Sequence, residues 1–148
     1  CSQQSNEEGE MVNKLYKKFL KIKFKDEKGN TKKITVNDIL TVSPYNVQVN
    51  YLKSILPKDS KVGTIDKFQG QEAPIVIISM TTSDPENLSR HLEFFYSRNR
   101  LNVAISRAQC LSVVIMNPEL FRLDCSKVSQ IKLVNTLIKL NHFKTNFK

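Results

Sequence analysis

Arg100 and Arg107 are the residues of this sequence whose type and spacing most directly suit chemistry on phosphate. They lie seven positions apart in a stretch with helical periodicity, so a helix would project both guanidinium groups from one face. A guanidinium group stays charged and binds two phosphate oxygens at once, whereas most basic residues of this chain are lysines. The alternative role for these two arginines is structural ion pairing.

A short polar loop over residues 66–72 contains Gly70 and ends at Glu72. Gly70 has no Cβ, so its backbone can approach a ligand closely or adopt a positive φ. The Glu72 carboxylate beside it can accept hydrogen bonds from sugar hydroxyls, as acidic residues do when they bind ribose in dinucleotide sites. A plain turn with Glu72 in solvent is the alternative interpretation.

A second polar junction, Ser43-Pro44-Tyr45-Asn46-Val47-Gln48, follows a short apolar stretch. Pro44 suits the first position of a helix. Hydroxyls and free N–H groups at such a junction can hold a phosphate of a nucleic-acid backbone. The same residue types are also ordinary at the start of a helix, so this pattern alone establishes no function.

The central element that must position these residues is the apolar run over residues 73–80, which predicts a parallel strand buried on both faces. Further strands are predicted over 39–43, 61–65 and 111–116, with helices over 6–21, 45–56, 99–108 and 126–143. A lysine-rich hairpin is predicted over 22–36 and a helical turn over 91–97. This alternation predicts an α/β domain with a mainly parallel sheet flanked by helices. Ligands of such sheets bind at the carboxyl ends of the strands, so we expect the functional site there.

The first helix is predicted from its start signal and its periodicity. Ser5 and Glu8 fit a capping box, in which each residue satisfies a backbone N–H of the other. The predicted apolar face packs against the sheet and consists of Met11, Leu15, Phe19 and Ile22. For the hairpin that follows, a solvated lysine-rich surface is favoured over a nucleic-acid patch.

Composition restricts the class of protein. The chain has 148 residues, the size of one domain, and a net charge of +9, which suits a polyanionic partner or simply a soluble surface. Its three cysteines show no CxxC spacing, so neither a disulfide framework nor a zinc site is indicated, and a cytoplasmic protein is expected. No apolar run is long enough to span a bilayer. The chain does not begin with Met, so we expect a fragment of a longer protein.

The motifs carry a family resemblance. Residues 63–72 and 100–108 resemble motifs V and VI of superfamily 1 helicases, and residues 43–48 resemble motif IV of the same branch. Their order and spacing agree with a second RecA-like domain, which the resemblance assigns to residues 1–148. The wording of residues 68–74 is also similar to helicases fused to a RecB-like nuclease domain.

The resemblance implies roles for individual residues. Arg107 matches the arginine finger that reaches the γ-phosphate of ATP, and Arg100 ranks behind it as a nucleotide contact. Gly70 and Glu72 match positions beside the nucleotide, with Glu72 on the ribose. The residues expected to line the nucleic-acid track are Ser43, Tyr45, Gln48 and Thr64.

Two elements of a complete motor are missing from the sequence. No Gly-x-x-x-x-Gly-Lys-Ser/Thr loop occurs, so the Walker A loop and the Mg²⁺ ligands of bound ATP are expected on an upstream RecA-like domain. The Gln-Tyr-Arg-Met element that usually precedes motif IV is also absent. We therefore expect the motor half of an ATP-dependent helicase or translocase, inactive alone, that binds single-stranded nucleic acid, with DNA favoured over RNA. The alternative is a non-catalytic nucleic-acid- or protein-binding module with a degenerate RecA-like fold.

Overall fold

A computed structural model of the chain describes residues 4–81 and 100–116. The helices are α1 (Asn6–Phe19), α2 (Asn46–Ile55) and α3 (Arg100–Ser106). The strands are β1 (Lys23–Lys25), β2 (Thr31–Lys33), β3 (Ile39–Val42), β4 (Lys61–Gly63), β5 (Ala73–Ser79) and β6 (Ala108–Ile115). Single 3₁₀ turns occupy Val36–Asp38 and Ile65–Phe68. The helical turn predicted over 91–97 and the helix predicted over 126–143 lie outside the described residues.

The main sheet has four parallel strands in the order β4-β3-β5-β6. Consecutive parallel strands require a crossover on one face of the sheet. The helix α2 lies in the connection from β3 to β4, the 3₁₀ turn at Ile65–Phe68 in that from β4 to β5, and α3 in that from β5 to β6. The predicted α/β domain with a parallel sheet flanked by helices is confirmed, and its arrangement is consistent with a RecA-like domain. Within the described ranges, no helix is long and apolar enough to cross a membrane.

Every residue of β5 is buried, which explains the continuous apolar run in the sequence. Alternate side chains of β5 enter two separate cores, because successive residues of a strand point to opposite faces. Ile75 and Ile77 pack in the core beneath α1 and α2. Val76 and Ile78 pack in the core formed with the Ile65–Phe68 turn and α3. The strand is therefore held rigidly from both sides.

The buried face of α1 agrees only in part with the predicted one. Phe19 enters the core and Leu15 packs against it, as predicted, whereas Met11 is 49% exposed and Ile22 is 45% exposed. Val12 and Tyr16 are buried as well. The set at positions 12, 16 and 19 has helical spacing as good as the predicted set. Which stripe is buried depends on how the helix docks on the sheet, and the local pattern does not contain that information.

The predicted capping box of α1 forms only in part. Ser5 Oγ accepts a hydrogen bond from the Glu8 backbone N–H at 3.3 Å, as predicted. The Ser5 backbone N–H, however, donates to Gln48 Oε1 of α2 at 2.8 Å. A residue 43 positions away in sequence thus takes the place expected for the Glu8 carboxylate.

The predicted hairpin is confirmed, with β1 and β2 pairing antiparallel. Asp26 Oδ1 organises its turn by accepting hydrogen bonds from the backbone N–H groups of Lys28 at 3.0 Å and Asn30 at 2.8 Å. The bond from the Asn30 backbone is the main cause that lowers the pKa of Asp26, and Lys32 contributes as well. Gly29 completes the turn with a φ of +79°.

Candidate functional site

The candidate residues lie at two opposite edges of the parallel sheet. Gly63 ends β4 and Ala73 begins β5, and both strands run parallel to β3 between them. Residues 64–72 must therefore cross the face of the sheet from the carboxyl ends of the strands to their amino ends. The expectation of one site at the carboxyl ends is therefore wrong for the residues that follow this crossing. We call Ser43, Tyr45, Thr64 and Thr81 the carboxyl edge, and Gly70, Glu72 and Arg107 the amino edge.

The amino edge is assembled by pairing between β5 and β6. The Ala73 backbone N–H donates to the Arg107 carbonyl oxygen at 3.0 Å, and Ala73 pairs with Ala108. Glu72 directly precedes Ala73 and is exposed. The structure thus brings the backbones at Glu72 and Arg107 together, as expected if both residues contact one ligand.

Gly70 has a φ of +80°, a conformation that L side chains rarely adopt. Apart from its two chain neighbours, no residue in the described ranges 4–81 and 100–116 has an atom within 4 Å of a Cβ added to Gly70. Within the domain, Gly70 is therefore needed for the shape of the turn and not for close packing. The open space beside it is available to a ligand.

Arg107 lies just beyond α3, with its backbone N–H donating to the Ala104 carbonyl oxygen at 3.3 Å. Its Nε atom is buried and has no hydrogen-bond partner among residues 4–81 and 100–116. No ion pair joins Arg107 to a described acidic residue. A buried donor without an acceptor is unfavourable, so an anionic oxygen from a ligand would satisfy Arg107 Nε.

Arg100 occupies a different position from Arg107. It begins the described part of α3, and its Nη2 atom lies 4.0 Å from Asp66 Oδ2 in the 3₁₀ turn. The helix predicted over 99–108 extends over Arg100–Ser106, so Arg100 begins it and Arg107 directly follows it. Their different surroundings agree with ranking Arg100 behind Arg107 as a phosphate ligand.

At the carboxyl edge, polar contacts join the ends of three strands. Ser43 follows β3, and its backbone N–H donates to the Gly63 carbonyl oxygen at 3.1 Å. Ser43 Oγ lies 3.2 Å from Thr81 Oγ1, which follows β5. Thr64, directly after β4, is partly exposed, whereas Ser43 is fully buried. This edge can therefore present Thr64 to a ligand, with Ser43 beneath it.

The start of α2 lies at the same edge. Tyr45 is the N-cap residue and provides no side-chain capping hydrogen bond, while Asn46 and Val47 in the first turn are exposed. Backbone N–H groups in a first helical turn lack intrahelical acceptors and favour anions. Burial raises the pKa of Tyr45 to about 12, so its phenol keeps its proton to a higher pH than an exposed tyrosine. The N-terminus of α2 is thus suited to a phosphate group.

Gln48 lies inside the domain, with 0% of its surface exposed. Besides accepting from Ser5, its Nε2 atom donates to the Ser5 carbonyl oxygen at 3.1 Å and to Ser79 Oγ at 3.2 Å. The amide joins α1, α2 and β5. A direct contact between Gln48 and nucleic acid stays an untested prediction, and the observed contacts are internal.

Glu8 is a buried residue of this edge that the sequence analysis did not identify. Glu8 is only 7% exposed. Its Oε2 atom accepts hydrogen bonds from Ser79 Oγ at 2.7 Å and from the Thr81 backbone N–H at 2.8 Å. The sequence predicts Glu8 only as the partner of Ser5 in the capping box, and no local pattern indicates its contacts with Ser79 and Thr81. We call Ser5, Glu8, Gln48, Ser79 and Thr81 the Glu8 network.

Comparison with known proteins gives a family match and several relatives. A family described as an AAA domain matches residues 2–119. The chain is 32% identical over 136 residues to an uncharacterized ATP-dependent helicase, MJ0104, of Methanocaldococcus jannaschii, which covers 90% of this chain and 17% of that protein. It is 35% identical over 102 residues to the probable RNA helicase armi of Drosophila melanogaster, covering 62% of this chain and 8% of that protein.

A third relative is the DNA polymerase alpha-associated DNA helicase A of Saccharomyces cerevisiae, 35% identical over 91 residues. This match covers 58% of the chain and 13% of the yeast protein. The matched segments thus span between 8% and 17% of the lengths of these three relatives.

Proposed function

Because the chain belongs to the family of AAA domains that matches residues 2–119, we propose that it is the second RecA-like domain of an ATP-dependent helicase or translocase. The proposed domain comprises residues 1–148. An upstream RecA-like domain of the same protein supplies the Walker A loop and the Mg²⁺ ligands, which the sequence of this chain lacks. The names of the relatives support this proposal, since all three are helicases.

The observation that carries the proposal is the buried Nε atom of Arg107, which has no hydrogen-bond partner in the part of the chain that the structure describes and lies at the edge opposite the N-terminus of α2. One edge offers the partly exposed guanidinium group of Arg107 for phosphate, and the other offers helix N–H groups and hydroxyls. The fully buried strand β5 joins the two edges, because Ala73 at its start bonds to Arg107 and Ser79 at its end belongs to the Glu8 network. A motor domain needs such a connection, because binding of the nucleotide at one edge must move the same domain that holds the nucleic-acid strand at the other edge.

At the amino edge, the residues fit an ATP molecule held mainly by another domain. Arg107 would donate to the γ-phosphate, Glu72 would accept from the ribose hydroxyls, and the open space at Gly70 would admit the nucleotide. Arg100 is a second, weaker candidate for a phosphate contact. An arginine finger stabilises negative charge in phosphoryl transfer and increases the rate by roughly 10³- to 10⁵-fold.

At the carboxyl edge, we place the backbone of a single strand against Tyr45, Thr64 and the first turn of α2. The Thr64 hydroxyl and the helix N–H groups would donate to phosphate oxygens. Ser43 and Gln48 act from beneath by fixing the ends of β3 and β5, as their buried contacts indicate. Binding of this kind depends on salt and not on base sequence.

The substrate that we propose is single-stranded nucleic acid of either kind. The relatives include an RNA helicase and a DNA helicase by name, so the preference for DNA stays a prediction. The attached nuclease domain also stays a prediction. Contacts to phosphate oxygens are shared by DNA and RNA, and only groups near the 2′-hydroxyl can distinguish them.

The experiment that tests the proposal is ATP hydrolysis by the full-length protein, alone and with single-stranded DNA or RNA of matched sequence. We expect hydrolysis that one or both strands stimulate. A protein that binds either strand but hydrolyses no ATP would contradict the motor and favour the non-catalytic binding module. The absence of a Walker A loop from this chain is the observation on which that alternative rests.

A further inference from the structure

One face of the β1–β2 hairpin carries three lysines. Its register pairs Lys23 directly with Lys33 and Lys25 directly with Thr31. Directly opposite residues of an antiparallel pair share a face, and so do alternate residues of one strand. Lys23, Lys25, Thr31 and Lys33 therefore lie on the same face, and all four are exposed. We call these four residues the lysine face.

The other face of the hairpin anchors it to the domain. Phe24 packs against the core beneath α1 and α2, and Ile34, just after β2, is 2% exposed. Lys32, directly opposite Phe24, forms an ion pair with Asp26 at 3.3 Å. Asp26 therefore neutralises a lysine on the face that packs against the domain, and not one on the lysine face. The hairpin holds the lysine face on a fixed support.

The charges of the lysine face are not balanced within the described domain. No ion pair in residues 4–81 and 100–116 involves Lys23, Lys25 or Lys33. Like charges directly opposite each other destabilise a strand pair. An acidic residue in place of Lys23 or Lys33 would stabilise the hairpin better. The pairing of two lysines therefore indicates an anionic partner from outside the domain.

We propose that the lysine face binds the phosphate backbone of a nucleic acid at a place separate from the carboxyl edge. The centres of protein interfaces are rich in aromatic residues and poor in lysine, whereas this face consists of lysines and one threonine. Lysine and threonine suit sequence-independent contacts to phosphate. An acidic protein surface is therefore the less suitable partner.

The position of the hairpin makes this a second binding surface. The chain passes from β2 through the Val36–Asp38 turn into the amino end of β3, whereas the proposed strand track lies at the carboxyl ends. A strand or duplex on the lysine face would thus be additional to the strand held by Tyr45 and Thr64. Its binding needs no nucleotide.

The test is equilibrium binding of the full-length protein, without nucleotide, to a labelled single-stranded oligonucleotide and a labelled duplex between about 50 and 200 mM salt. The test variant combines Lys23→Gln, Lys25→Gln and Lys33→Gln. The control variant combines Lys14→Gln, Lys53→Gln and Lys58→Gln, three exposed lysines on or beside α1 and α2. Both variants lose the same charge, and circular dichroism verifies that both are folded.

Each lost phosphate contact makes the slope of log affinity against log salt shallower by about 0.7 for a single strand or about 0.9 for a duplex. In the test variant, we expect this slope to become shallower by roughly 2 with a single strand or by roughly 2.7 with a duplex, depending on which is bound. In the control variant, the slope should change by less than about 0.7. Equal losses in the two variants, or no loss in the test variant, would overturn the proposal. Either result leaves the proposed function intact, whereas a wild-type protein that binds neither probe contradicts both.

Discussion

The carboxylate of Glu8 accepts a hydrogen bond from the backbone N–H of Thr81 at 2.8 Å, across 73 positions of sequence. Thr81 has a φ of +56°, which is unusual for a β-branched residue. The same carboxylate oxygen accepts from Ser79 Oγ at 2.7 Å. A buried acid on the first helix therefore fixes the backbone where β5 ends, beside Ser43 at the carboxyl edge.

Replacement of Glu8 tests the Glu8 network. Glu8→Ala would leave the Ser79 hydroxyl and the Thr81 N–H without this acceptor, and each such group costs about 1–3 kcal/mol. Glu8→Gln keeps one acceptor oxygen, so its effect should be smaller. The measurement is the urea midpoint of the full-length protein's unfolding transition that reports on this domain. Glu10→Ala, an exposed acid on the same helix, is the control, and an equal effect of both alanine variants would contradict the role of Glu8.

Substitutions at Gly70 separate the shape of the turn from access of the nucleotide. Gly70→Ala places an L residue at a φ of +80° and should cost about 1–2 kcal/mol, whereas Asn tolerates that region better. Both side chains would occupy the open space beside Gly70, where we propose that the nucleotide binds, so we expect the KM for ATP of the full-length protein to rise in both variants.

Gly29 provides the matched control for this prediction, because it has a φ of +79° and equally open surroundings in the hairpin turn. Gly29→Ala and Gly29→Asn should leave the KM for ATP unchanged. If Gly70→Asn also left it unchanged, Gly70 would serve only the conformation of the loop.

The burial of Tyr45 predicts a loss of stability at high pH. Its pKa rises from 10.0 to about 12 in the folded protein, so the folded state holds its proton more tightly than the unfolded state. The resulting stabilisation is fully present below pH 10.0 and is lost as the pH rises towards 12. Unfolding midpoints measured between these values should fall less steeply in Tyr45→Phe than in wild type. The same substitution at Tyr51 in α2 is the control, and equal slopes for Tyr45→Phe and wild type would contradict the prediction.

The elements of the sheet could be predicted because their signals are local. β5 was predicted over residues 73–80 and extends over Ala73–Ser79, since burial on both faces leaves a continuous apolar run. The helix predicted over residues 45–56 extends over Asn46–Ile55. β6 begins three residues earlier than predicted, at Ala108, because pairing with Ala73 extends it.

The features that could not be predicted depend on contacts between distant residues. At the N-terminus of α1, the Ser5 backbone N–H donates to Gln48 and not to Glu8. This bond could be predicted only if the packing of α1 on α2 were known. The placement of Arg107 and Thr64 at opposite edges follows from the parallel pairing of the strands, because Thr64 directly follows β4 and Arg107 directly precedes β6. Motif wording identified these residues, but only the topology showed that they lie at opposite edges.

The central claim is that Arg107 acts as an arginine finger on ATP. The most direct test is the maximal rate of ATP hydrolysis by the full-length protein, with a saturating single strand, for wild type, Arg107→Ala and Arg100→Ala. We expect Arg107→Ala to lower the rate by about 10³-fold or more while strand affinity is retained, and Arg100→Ala to have a much smaller effect. A folded, strand-binding Arg107→Ala protein that hydrolyses ATP at the wild-type rate would contradict the account.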